Sequence, residues 1–425
     1  MRCSTLCTPR ARSTGSAIIT RPSFARPRGA SRIMRGRKPW PNASPTGAGI
    51  ADEADRGMRA SDVIVVGGGI IGCAIAYALA KEGISVRLIE RQEPGCEASR
   101  AAAGMLAPQS EVMHEPHGPF FELCRASLHL YPDFIAEIEE VTGLSIEYRR
   151  EGALFLAFDF AEGEVLAAAY EKQKAIGLAV EDLTADEVRE REPALSEAVQ
   201  MALLLPEDHQ VDNQKLMEAL PLAAQRRGVE ILTGQPVLGL MREKDRVVGV
   251  RTSHDVYTAA CVINCAGAWA ATVDPHRHPP LPVKPIRGQI VVLRTRAPLL
   301  EHVVHSAHCY IVPRRDGRLL VGSTMEDVGY EKRVTADALL RLLSAARQVL
   351  PAIERSTFVE AWAGFRPDTP DHLPILGEAE PGLLIATGHF RNGILLAPIT
   401  ARLIAELVTS GQASRDLTPF HPHRF

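Results

Sequence analysis

Residues 62–72 read Asp-Val-Ile-Val-Val-Gly-Gly-Gly-Ile-Ile-Gly. The β-branched start of this stretch is typical of a buried strand, and the strand is expected to end where the glycines begin. Residues 73–80 then favour a helix, and residues 85–89 favour a second short strand that ends at Glu90. The order of strand, Gly-x-Gly-x-x-Gly, helix, strand and acid predicts a βαβ unit that binds a dinucleotide.

The three glycines and the acid have separate tasks in such a unit. Gly67 permits the tight turn, Gly69 lets the backbone approach a pyrophosphate, and Gly72 lets the helix pack closely on the strand. The N-terminus of the helix offers unpaired N–H groups and a partial positive charge to the phosphates. Glu90 follows Gly72 at close to the spacing, roughly 20 residues, of the acid that binds a ribose hydroxyl. We therefore expect a nucleotide cofactor.

Length and composition indicate an ordinary globular protein. The chain has 425 residues, which is long enough for two domains. No apolar run has the roughly 18 to 20 uncharged residues of a membrane helix. The nearest candidate, 393–408, contains Arg402 and Glu406 and is typical of an amphipathic helix. We therefore expect no membrane partner and a cytoplasmic location.

The cysteines and histidines show no ligand spacing. Cys73, Cys261 and Cys265 lie in apolar strand or helix contexts, where a buried reduced thiol is the expected state. The histidines between 276 and 308 are scattered over loops and strands. We therefore expect no metal site, and the sequence contains no pattern that suggests a Ser-His-Asp triad.

The first 51 residues hold nine Arg and one Lys and no acid, so the rest of the chain is acidic overall. This head has no hydrophobic periodicity, and three interpretations compete. It is a disordered basic arm, an organelle transit peptide, or upstream sequence translated from a wrongly chosen start codon ahead of Met58. A nucleic-acid partner is not expected, because the acidic remainder would repel DNA.

The middle of the chain changes to amphipathic helical patterns at 120–141, 161–177 and 184–192. This change indicates that a second domain is inserted into the α/β protein that the βαβ unit predicts.

Two further stretches are dense in small residues. Residues 99–108 read Ser-Arg-Ala-Ala-Ala-Gly-Met-Leu-Ala-Pro, and residues 261–270 repeat the order of buried strand, glycine turn and helix start. So many small residues indicate that another group packs directly on the backbone. That group is either a neighbouring helix or sheet, or the cofactor. We favour the cofactor, because the glycine motif precedes these stretches.

These stretches, together with 364–370 and 388–398, occur in the order found in the D-amino-acid oxidase superfamily of flavoproteins, which the chain resembles. The closest local matches, His-Cys-Tyr-Ile-Val-Pro-Arg at 308–314 and Gly-His-Phe-Arg-Asn-Gly-Ile-Leu-Leu-Ala-Pro at 388–398, are similar to the glycine oxidases of the bacterial thiazole (thiamine) pathway. The resemblance covers about residues 60–420. The two C-terminal stretches are specific to the group, whereas the glycine motif is shared by many unrelated enzymes.

The resemblance implies a split fold that is α/β, α+β overall. A Rossmann-like FAD-binding domain is assembled from discontinuous segments, and a substrate domain built on a mixed or antiparallel sheet is inserted between them. The expected segments are 1–57 for the head, 58–115, 200–284 and 356–425 for the FAD-binding domain, and 116–199 and 285–355 for the substrate domain.

The resemblance also implies non-covalent FAD and the oxidative deamination of glycine or other small amines by hydride transfer to the flavin. The products would be an imine, for thiazole synthesis or for hydrolysis to glyoxylate and ammonia, and hydrogen peroxide from O2. It also implies a homo-oligomer, such as a tetramer. Alternatives are a D-amino-acid or sarcosine dehydrogenase or oxidase of the same superfamily and, more remotely, a non-catalytic flavin-binding subunit.

A buried carboxylate needs a cation, and arginine suits this task because its planar fork binds both oxygens. Arg366 lies between Gly364-Phe365 and Pro367, a rigid turn suited to aiming a side chain. The alternative is a surface arginine on a loop. Tyr310 can offer its hydroxyl to the same carboxylate; the alternative is a half-buried sheet tyrosine, and the resemblance favours the binding role.

Two more pocket residues follow from the resemblance. Arg391 matches a pocket arginine, although it could also satisfy carbonyls near a turn, and Met325 matches a pocket wall that limits substrate size. Arg391 and Arg314 are the next candidates for the carboxylate after Arg366. No catalytic acid or base is expected, because the cofactor carries the chemistry.

The expected contacts to FAD combine the glycine motif, the small-residue stretches and the matched C-terminal stretch. They are Gly67, Gly69, Ile70, Ile71, Gly72, Glu90, Arg91, Ser99, Arg100, Ala102, Ala103, Gly104, Met105, Val237, Ala266, Gly267, Trp269, His389, Arg391, Asn392, Gly393, Ile394 and Leu395.

Deletion of residues 1–57, so that Met58 starts the chain, should leave FAD content and melting temperature nearly unchanged. The head has too little apolar surface to join a core. Absorbance of the bound flavin and thermal unfolding of both chains test this, and a large loss of either would show that the head packs on the body.

Overall fold

The glycine-rich stretch follows an interior strand of an eight-stranded sheet. The structure, a computed structural model, describes residues 59–114 and 118–425. The basic head, with the expectations about it, lies outside these described residues. All described residues belong to one compact unit, so the division into two domains stays a prediction.

The first sheet has a parallel centre with antiparallel additions. β1 pairs in parallel with β2 on one side and with β12 on the other, and β9 and β19 extend the parallel part. β10, β11 and β18 are antiparallel to their neighbours. The strands are β1 (Arg59–Val66), β2 (Val86–Ile89), β9 (Glu230–Leu232), β10 (Val237–Glu243), β11 (Arg246–Thr252), β12 (Val256–Asn264), β18 (Ile375–Glu380) and β19 (Leu383–Thr387).

The second sheet also has eight strands, in the order β17-β13-β16-β15-β14-β5-β7-β6. All neighbours in it are antiparallel except β14 and β5. Its strands are β5 (Ala153–Ala157), β6 (Glu181–Thr184), β7 (Met201–Leu205), β13 (Lys284–Arg294), β14 (Val303–His305), β15 (Tyr310–Pro313), β16 (Arg318–Gly322) and β17 (Thr357–Asp368). A small sheet joins β3 (Met105–Leu106), β8 (His209–Val211) and β4 (Tyr148–Arg149). The predicted fold class, with a discontinuous first sheet and a mixed second one, is confirmed.

The predicted segment boundaries do not follow the sheets. β7 and β17 belong to the second sheet, although the boundaries at 200 and 356 place them with the nucleotide-binding segments. Conversely, the helix predicted at 120–141 packs on helices beside the first sheet. The reason is pairing at long range: β17 is antiparallel to β13 along its whole length, which local patterns do not reveal.

Helices cover the first sheet and part of the second. They are α1 (Ile70–Lys81), α2 (Ala98–Ala101), α3 (Pro108–His114), α4 (Pro119–Thr142), α5 (Phe160–Ala175), α6 (Ala185–Arg191), α7 (Asn213–Arg226), α8 (Ala336–Val349) and α9 (Gly393–Ser410). α1 packs on α9 and α7, and α4 packs on the same two helices. Their apolar faces form the largest buried cluster, in which Ile75 and Leu79 of α1 meet Leu403 and Ile404 of α9.

α9 is long and apolar enough to cross a membrane by length and composition alone. Two thirds of it, 67%, are nevertheless buried inside the structure. Its apolar faces are therefore explained by contacts with α1 and α4, as a core helix.

Proline at position 398 interrupts the hydrogen bonding of α9. It has no N–H, so the carbonyl four residues earlier, that of Ile394, loses its helical donor. The hydroxyl of Tyr131 on α4 donates to this carbonyl instead. Ser127, one turn earlier on α4, donates to the carbonyl of Leu395 at 2.5 Å. α4 thus repairs the first turn of α9, which borders the cavity described below.

Tyr131→Phe should lower the free energy of unfolding by about 1–3 kcal/mol, because it leaves the buried Ile394 carbonyl without a donor. Tyr170→Phe on α5, a partly exposed tyrosine, is the matched control and should change stability by less than about 0.5 kcal/mol. Urea denaturation of the three proteins measures the difference, and equal stabilities would show that the carbonyl finds another partner.

His389 precedes α9 and is buried, with its Nε2 3.1 Å from the hydroxyl of Thr400. Burial lowers the pKa of this imidazole from 6.5 to about 3. The unfolded chain therefore binds a proton below pH 6.5 that the folded chain does not bind, so folding stability falls as the pH falls from 6.5 towards 3.

His389→Gln should remove this dependence. Between pH 7 and pH 5 the wild type should lose about 2 kcal/mol more unfolding free energy than the variant. Urea denaturation at the two pH values tests the difference. Parallel losses in both proteins would contradict a neutral buried histidine.

Candidate functional site

A cavity of about 840 Å³ lies between the two large sheets. From the first sheet it is lined at the carboxyl ends of β1, β2 and β19 by Gly67, Glu90 and Thr387. From the second sheet it is lined by residues of β13, β15, β16 and β17, among them Tyr310 and Arg366. The carboxyl edge of a parallel sheet is where nucleotide cofactors bind in such folds.

The glycine turn brings the backbone as close as the motif predicts. Gly67 has a φ of +103°, and a Cβ there would lie 2.6 Å from the carbonyl oxygen of Cys265. A Cβ on Gly72 would lie 2.0 Å from the carbonyl oxygen of Gly67. Neither position admits a side chain. The N-terminus of α1, capped by Gly69, therefore opens onto the cavity without obstruction.

Glu90 holds this turn from the end of β2. Its Oε2 accepts a hydrogen bond from the N–H of Gly68 at 2.6 Å, and its Oε1 accepts from the N–H of Gln92 at 2.9 Å. The Ser99 hydroxyl accepts from the N–H of Ile70 at 2.8 Å. Carboxylate oxygens have further lone pairs, so Glu90 can still accept from a ribose hydroxyl, which stays a prediction.

Arg91 and Trp269, both predicted to contact the cofactor, lie against each other on the wall. The guanidinium is 3.5 Å from the centre of the Trp269 ring, a cation–π contact. Arg91 also pairs with Glu97 at 2.8 Å, and Glu97 pairs with Lys332 at 2.7 Å. Tyr330 stacks on Trp269 at 5.4 Å. These contacts hold the Arg91 guanidinium and the Trp269 ring against each other on the cavity wall, with Glu97 balancing the charge of Arg91.

The small-residue segment is held from behind by Arg314. This arginine is 1% exposed, and it donates to the carbonyl of Ala103 at 2.8 Å and to Gln210 Oε1 at 2.9 Å. Burial lowers its pKa to about 10. A Cβ on Gly104 would lie 2.0 Å from the carbonyl oxygen of Val211. Arg314 is absent from the described cavity wall, so the prediction that it is a fallback for the substrate carboxylate is wrong.

Arg366 and Tyr310 lie together on the second sheet. The guanidinium of Arg366 donates to Ser323 Oγ at 2.6 Å and to the carbonyl of Thr324 at 3.1 Å. Burial lowers the pKa of Arg366, and the neighbouring Tyr310 raises it in part. Within residues 59–114 and 118–425, no carboxylate forms an ion pair with this arginine, so its charge is available to a ligand.

Two strand glycines make room for this pair. A Cβ on Gly288 of β13 would lie 2.4 Å from Arg366 Nη1, and one on Gly322 would lie 2.4 Å from the Tyr310 hydroxyl. Sequence reasoning missed both glycines as site residues, although an isolated glycine within an apolar strand is a sign of close approach. It also missed Ser323, whose contact spans 43 residues and leaves no local pattern.

The other two predicted substrate residues are more exposed. Met325 lines the cavity with 65% of its surface exposed. Arg391 also lines it, but its guanidinium pairs with both oxygens of Glu111 on α3, at 3.1 and 2.7 Å. This partner is a carboxylate, whereas the sequence offered only turn carbonyls as the alternative. Phe155 and His305, stacked with their ring centres 4.3 Å apart, complete the wall beside Tyr310.

Most of the predicted cofactor residues line the cavity, and three do not. Gly72 faces the backbone of the turn, which agrees with its packing task. Arg100 is exposed, and its carbonyl accepts from Asn213. Leu395 is fully buried in the core between the helices. The side chains of Arg100 and Leu395 therefore do not face the cavity, and their contacts with the cofactor stay predictions.

The site offers anion binding at the open N-terminus of α1 and at Arg366, within a wall of apolar and polar residues. Across the described ranges, no three His, Cys, Asp or Glu side chains are grouped to hold a metal ion. The described cysteines are free, and Cys73, Cys261 and Cys265 are buried as expected. Burial raises the pKa of Cys265, which lies on the wall, and of Cys73 behind it. The glycine turn, the open helix N-terminus and the cavity volume fit FAD.

Comparisons with known proteins agree with FAD as the group that the cavity fits. The sequence matches the FAD dependent oxidoreductase (DAO) family over residues 62–407. A glycine oxidase of Geobacillus kaustophilus is 38% identical over 363 residues, which are 84% of this chain and 96% of that protein. The crystal structure of glycine oxidase from Geobacillus kaustophilus superposes with a TM-score of 0.82 at 37% identity, over 86% of this chain and 99% of that one.

A third relative, the bifunctional protein ThiO/ThiG of Trichormus variabilis, is 38% identical over 380 residues, or 86% of this chain. The match spans only 55% of that longer protein. The family match covers the glycine turn, the small-residue segment, Tyr310 and Arg366 in one alignment. This chain belongs to the FAD dependent oxidoreductase (DAO) family, and FAD is its cofactor.

Proposed function

We propose that the protein oxidises glycine and other small amines that carry one carboxylate, with FAD as hydride acceptor and O2 as final acceptor. The observation that carries this proposal is the guanidinium of Arg366, which lies beside Tyr310 in the cavity that contains the glycine turn and forms no ion pair with any carboxylate of the described residues. The products are an imine, or glyoxylate and ammonia after hydrolysis, and hydrogen peroxide.

The carboxylate of an amino acid would bind Arg366 and Tyr310. The arginine supplies a charge-assisted contact in a largely dry setting, and Ser323 and Thr324 fix the plane of its fork. Burial raises the pKa of Tyr310, so the phenol keeps its proton at neutral pH and donates to the same carboxylate. Both side chains are held before the ligand arrives, which reduces the entropy lost on binding.

The reaction then needs orientation rather than proton transfer by the protein. FAD supplies the two-electron chemistry when it is bound. The chain's own residues anchor the carboxylate, and the wall around Tyr310, with Met325, His305 and Phe155, limits the size of the side chain. An anchored substrate presents one α-hydrogen in a fixed direction, which gives the rate advantage of proximity.

The glycine oxidases among the relatives support glycine as substrate, and the name ThiO/ThiG supports a place in thiazole synthesis, where the imine is consumed. Sarcosine and small D-amino acids are the next candidates. A cytoplasmic location and a homo-oligomer, such as a tetramer, belong to the same proposal. The lack of a described carboxylate paired with Arg366 argues against a non-catalytic subunit, because a charge removed from water without a counter-charge destabilises a fold that has no use for it.

Peroxide release tests the proposal directly. FAD-loaded protein is mixed with glycine, sarcosine or D-alanine in air, and hydrogen peroxide is measured. Peroxide in proportion to amine consumed is expected. Flavin reduction by the amine without peroxide would instead identify a dehydrogenase, and no reduction by any of the three would contradict the proposed substrate class.

Arg366→Ala should lower kcat/KM for glycine at least a hundredfold, since losing one partner of a buried ion pair costs roughly 3 to 5 kcal/mol. Arg366→Lys should recover only part of the loss, because an ammonium lacks the planar fork. FAD content should stay at the wild-type level. Steady-state peroxide assays at full flavin occupancy measure the effect.

Arg341→Ala is the matched control for this series, because Arg341 is an exposed arginine of α8 paired with Asp337 at 2.8 Å. It should keep wild-type kcat/KM. If Arg366→Ala stays within about threefold of wild type, less than 1 kcal/mol of transition-state binding, the carboxylate is held elsewhere.

A further inference from the structure

The cavity contains a second cation that is already neutralised. Arg391 and Arg366 both line it. Burial lowers the pKa of Arg366, and the positive charge of Arg391 lowers it further, so the two guanidiniums are within electrostatic reach of each other. A cavity with two open arginines would favour ligands with two negative charges. The state of Arg391 therefore bears on which substrates can bind.

Glu111 occupies the fork of Arg391. Its Oε1 accepts from Nε at 3.1 Å and its Oε2 accepts from Nη2 at 2.7 Å, the two-pronged geometry of a strong arginine–carboxylate pair. The Glu111 side chain is 14% exposed and that of Arg391 is 37% exposed. Glu111 itself lines the cavity. Its carboxylate therefore stands where a second carboxylate of a ligand would bind.

The position of Glu111 is fixed by the buried start of α3. Asp208, 1% exposed, accepts from the N–H groups of Gln109 at 2.8 Å and Ser110 at 3.1 Å, and from the Ser110 hydroxyl. Gln109 accepts in turn from the N–H of Glu207 at 3.0 Å. The first turn of α3 is thus tied to the loop before β8. Glu111 cannot leave Arg391 by a movement of the whole turn without breaking these buried bonds.

We propose that Glu111 determines specificity by masking Arg391, so that the cavity takes amines with one carboxylate and rejects those with two. This inference rests on the proposed function and deepens it by naming the charge of the substrate class. Arg366 is the open cation that takes the single carboxylate. A second carboxylate meets the negative charge of Glu111, which already occupies Arg391, and like charges placed together oppose binding.

The test compares two secondary amines that differ in one charge. Sarcosine carries one carboxylate, and iminodiacetate carries a second one on the nitrogen substituent. In FAD-loaded Glu111→Gln the amide removes the negative charge, keeps the size of the side chain and releases the fork of Arg391. The ratio of kcat/KM for iminodiacetate to that for sarcosine should rise roughly tenfold or more over wild type.

Binding without turnover gives a second readout. Calorimetric titration of the FAD-loaded protein should show that Glu111→Gln tightens the Kd of malonate relative to acetate by a similar factor. A purely structural role of Glu111 would weaken both ligands together and leave the ratio unchanged. An unchanged ratio in both assays would overturn the proposal.

The double variant Glu111→Gln/Arg391→Gln identifies the cation. In this double variant the rise in the kcat/KM ratio should disappear, because the guanidinium that Glu111→Gln releases is no longer there. A rise that persists would show that Glu111 acts by repulsion alone, and it would contradict the proposal that Glu111 masks Arg391. Glu380→Gln is the matched control, since Glu380 also contacts an arginine, Arg242, through both oxygens at 3.3 and 2.8 Å, outside the described cavity wall. In Glu380→Gln the ratio of kcat/KM for iminodiacetate to that for sarcosine should equal that of wild type.

The experiments distinguish a failure of the masking proposal from a failure of the proposed function. If wild-type protein oxidises no amine, the proposed function fails and the malonate and acetate titration still tests the masking. If wild type oxidises sarcosine and the ratio does not change in Glu111→Gln, only the masking fails. If Arg391→Gln alone lowers kcat/KM for sarcosine as far as Arg366→Ala, Arg391 holds the single carboxylate and the proposal is wrong.

Discussion

The buried guanidinium of Arg314 joins the parts of the protein that form the cavity. It follows β15 of the second sheet, yet it donates to Ala103 in the small-residue segment and to Gln210 of the small sheet. Its Nη2 also lies 3.3 Å from Asn213 Oδ1 at the start of α7. Removing this charge from water is costly unless hydrogen bonds and an opposite charge compensate for it, and Asp212 Oδ2 lies 3.9 Å from Arg314 Nε. The segment that borders the cavity therefore depends on contacts made from the opposite sheet.

Close packing also fixes the part of the cavity around Arg366 and Tyr310. β13 and β16 carry glycines where the side chains of Arg366 and Tyr310 cross them, and Gly364 of β17 does the same for α2, since a Cβ there would lie 2.4 Å from that of Ala101. Missing side chains in the strands allow long polar side chains to lie flat on the sheet. The anchoring groups are thereby fixed by packing as well as by hydrogen bonds, as a preorganised binding site requires.

Local sequence patterns predict the parts of the site whose geometry depends on residues close together in the chain. The turn at Gly67 and the acid at Glu90 follow from steric and hydrogen-bonding demands within one βαβ unit. Arg366 could be predicted from the family resemblance, although it lies within β17 and not in the rigid turn that the sequence suggested. The partners of Arg314 and Arg391 could not, because they lie at separations of 101 to 280 residues. The predicted segment boundaries do not follow the two sheets for the same reason, since β17 pairs with β13 at long range, and the division into domains stays a prediction.

The buried thiols have a consequence for an enzyme that makes an oxidant. Peroxide attacks the thiolate rather than the thiol, so a cysteine that keeps its proton is poorly reactive. Burial raises the pKa of Cys265 on the wall and of Cys73 behind the glycine turn, and it raises that of Cys309 next to Tyr310. If O2 is the acceptor, each turnover releases peroxide beside these sulfurs. Because these thiols keep their protons, they present little thiolate for that peroxide to oxidise.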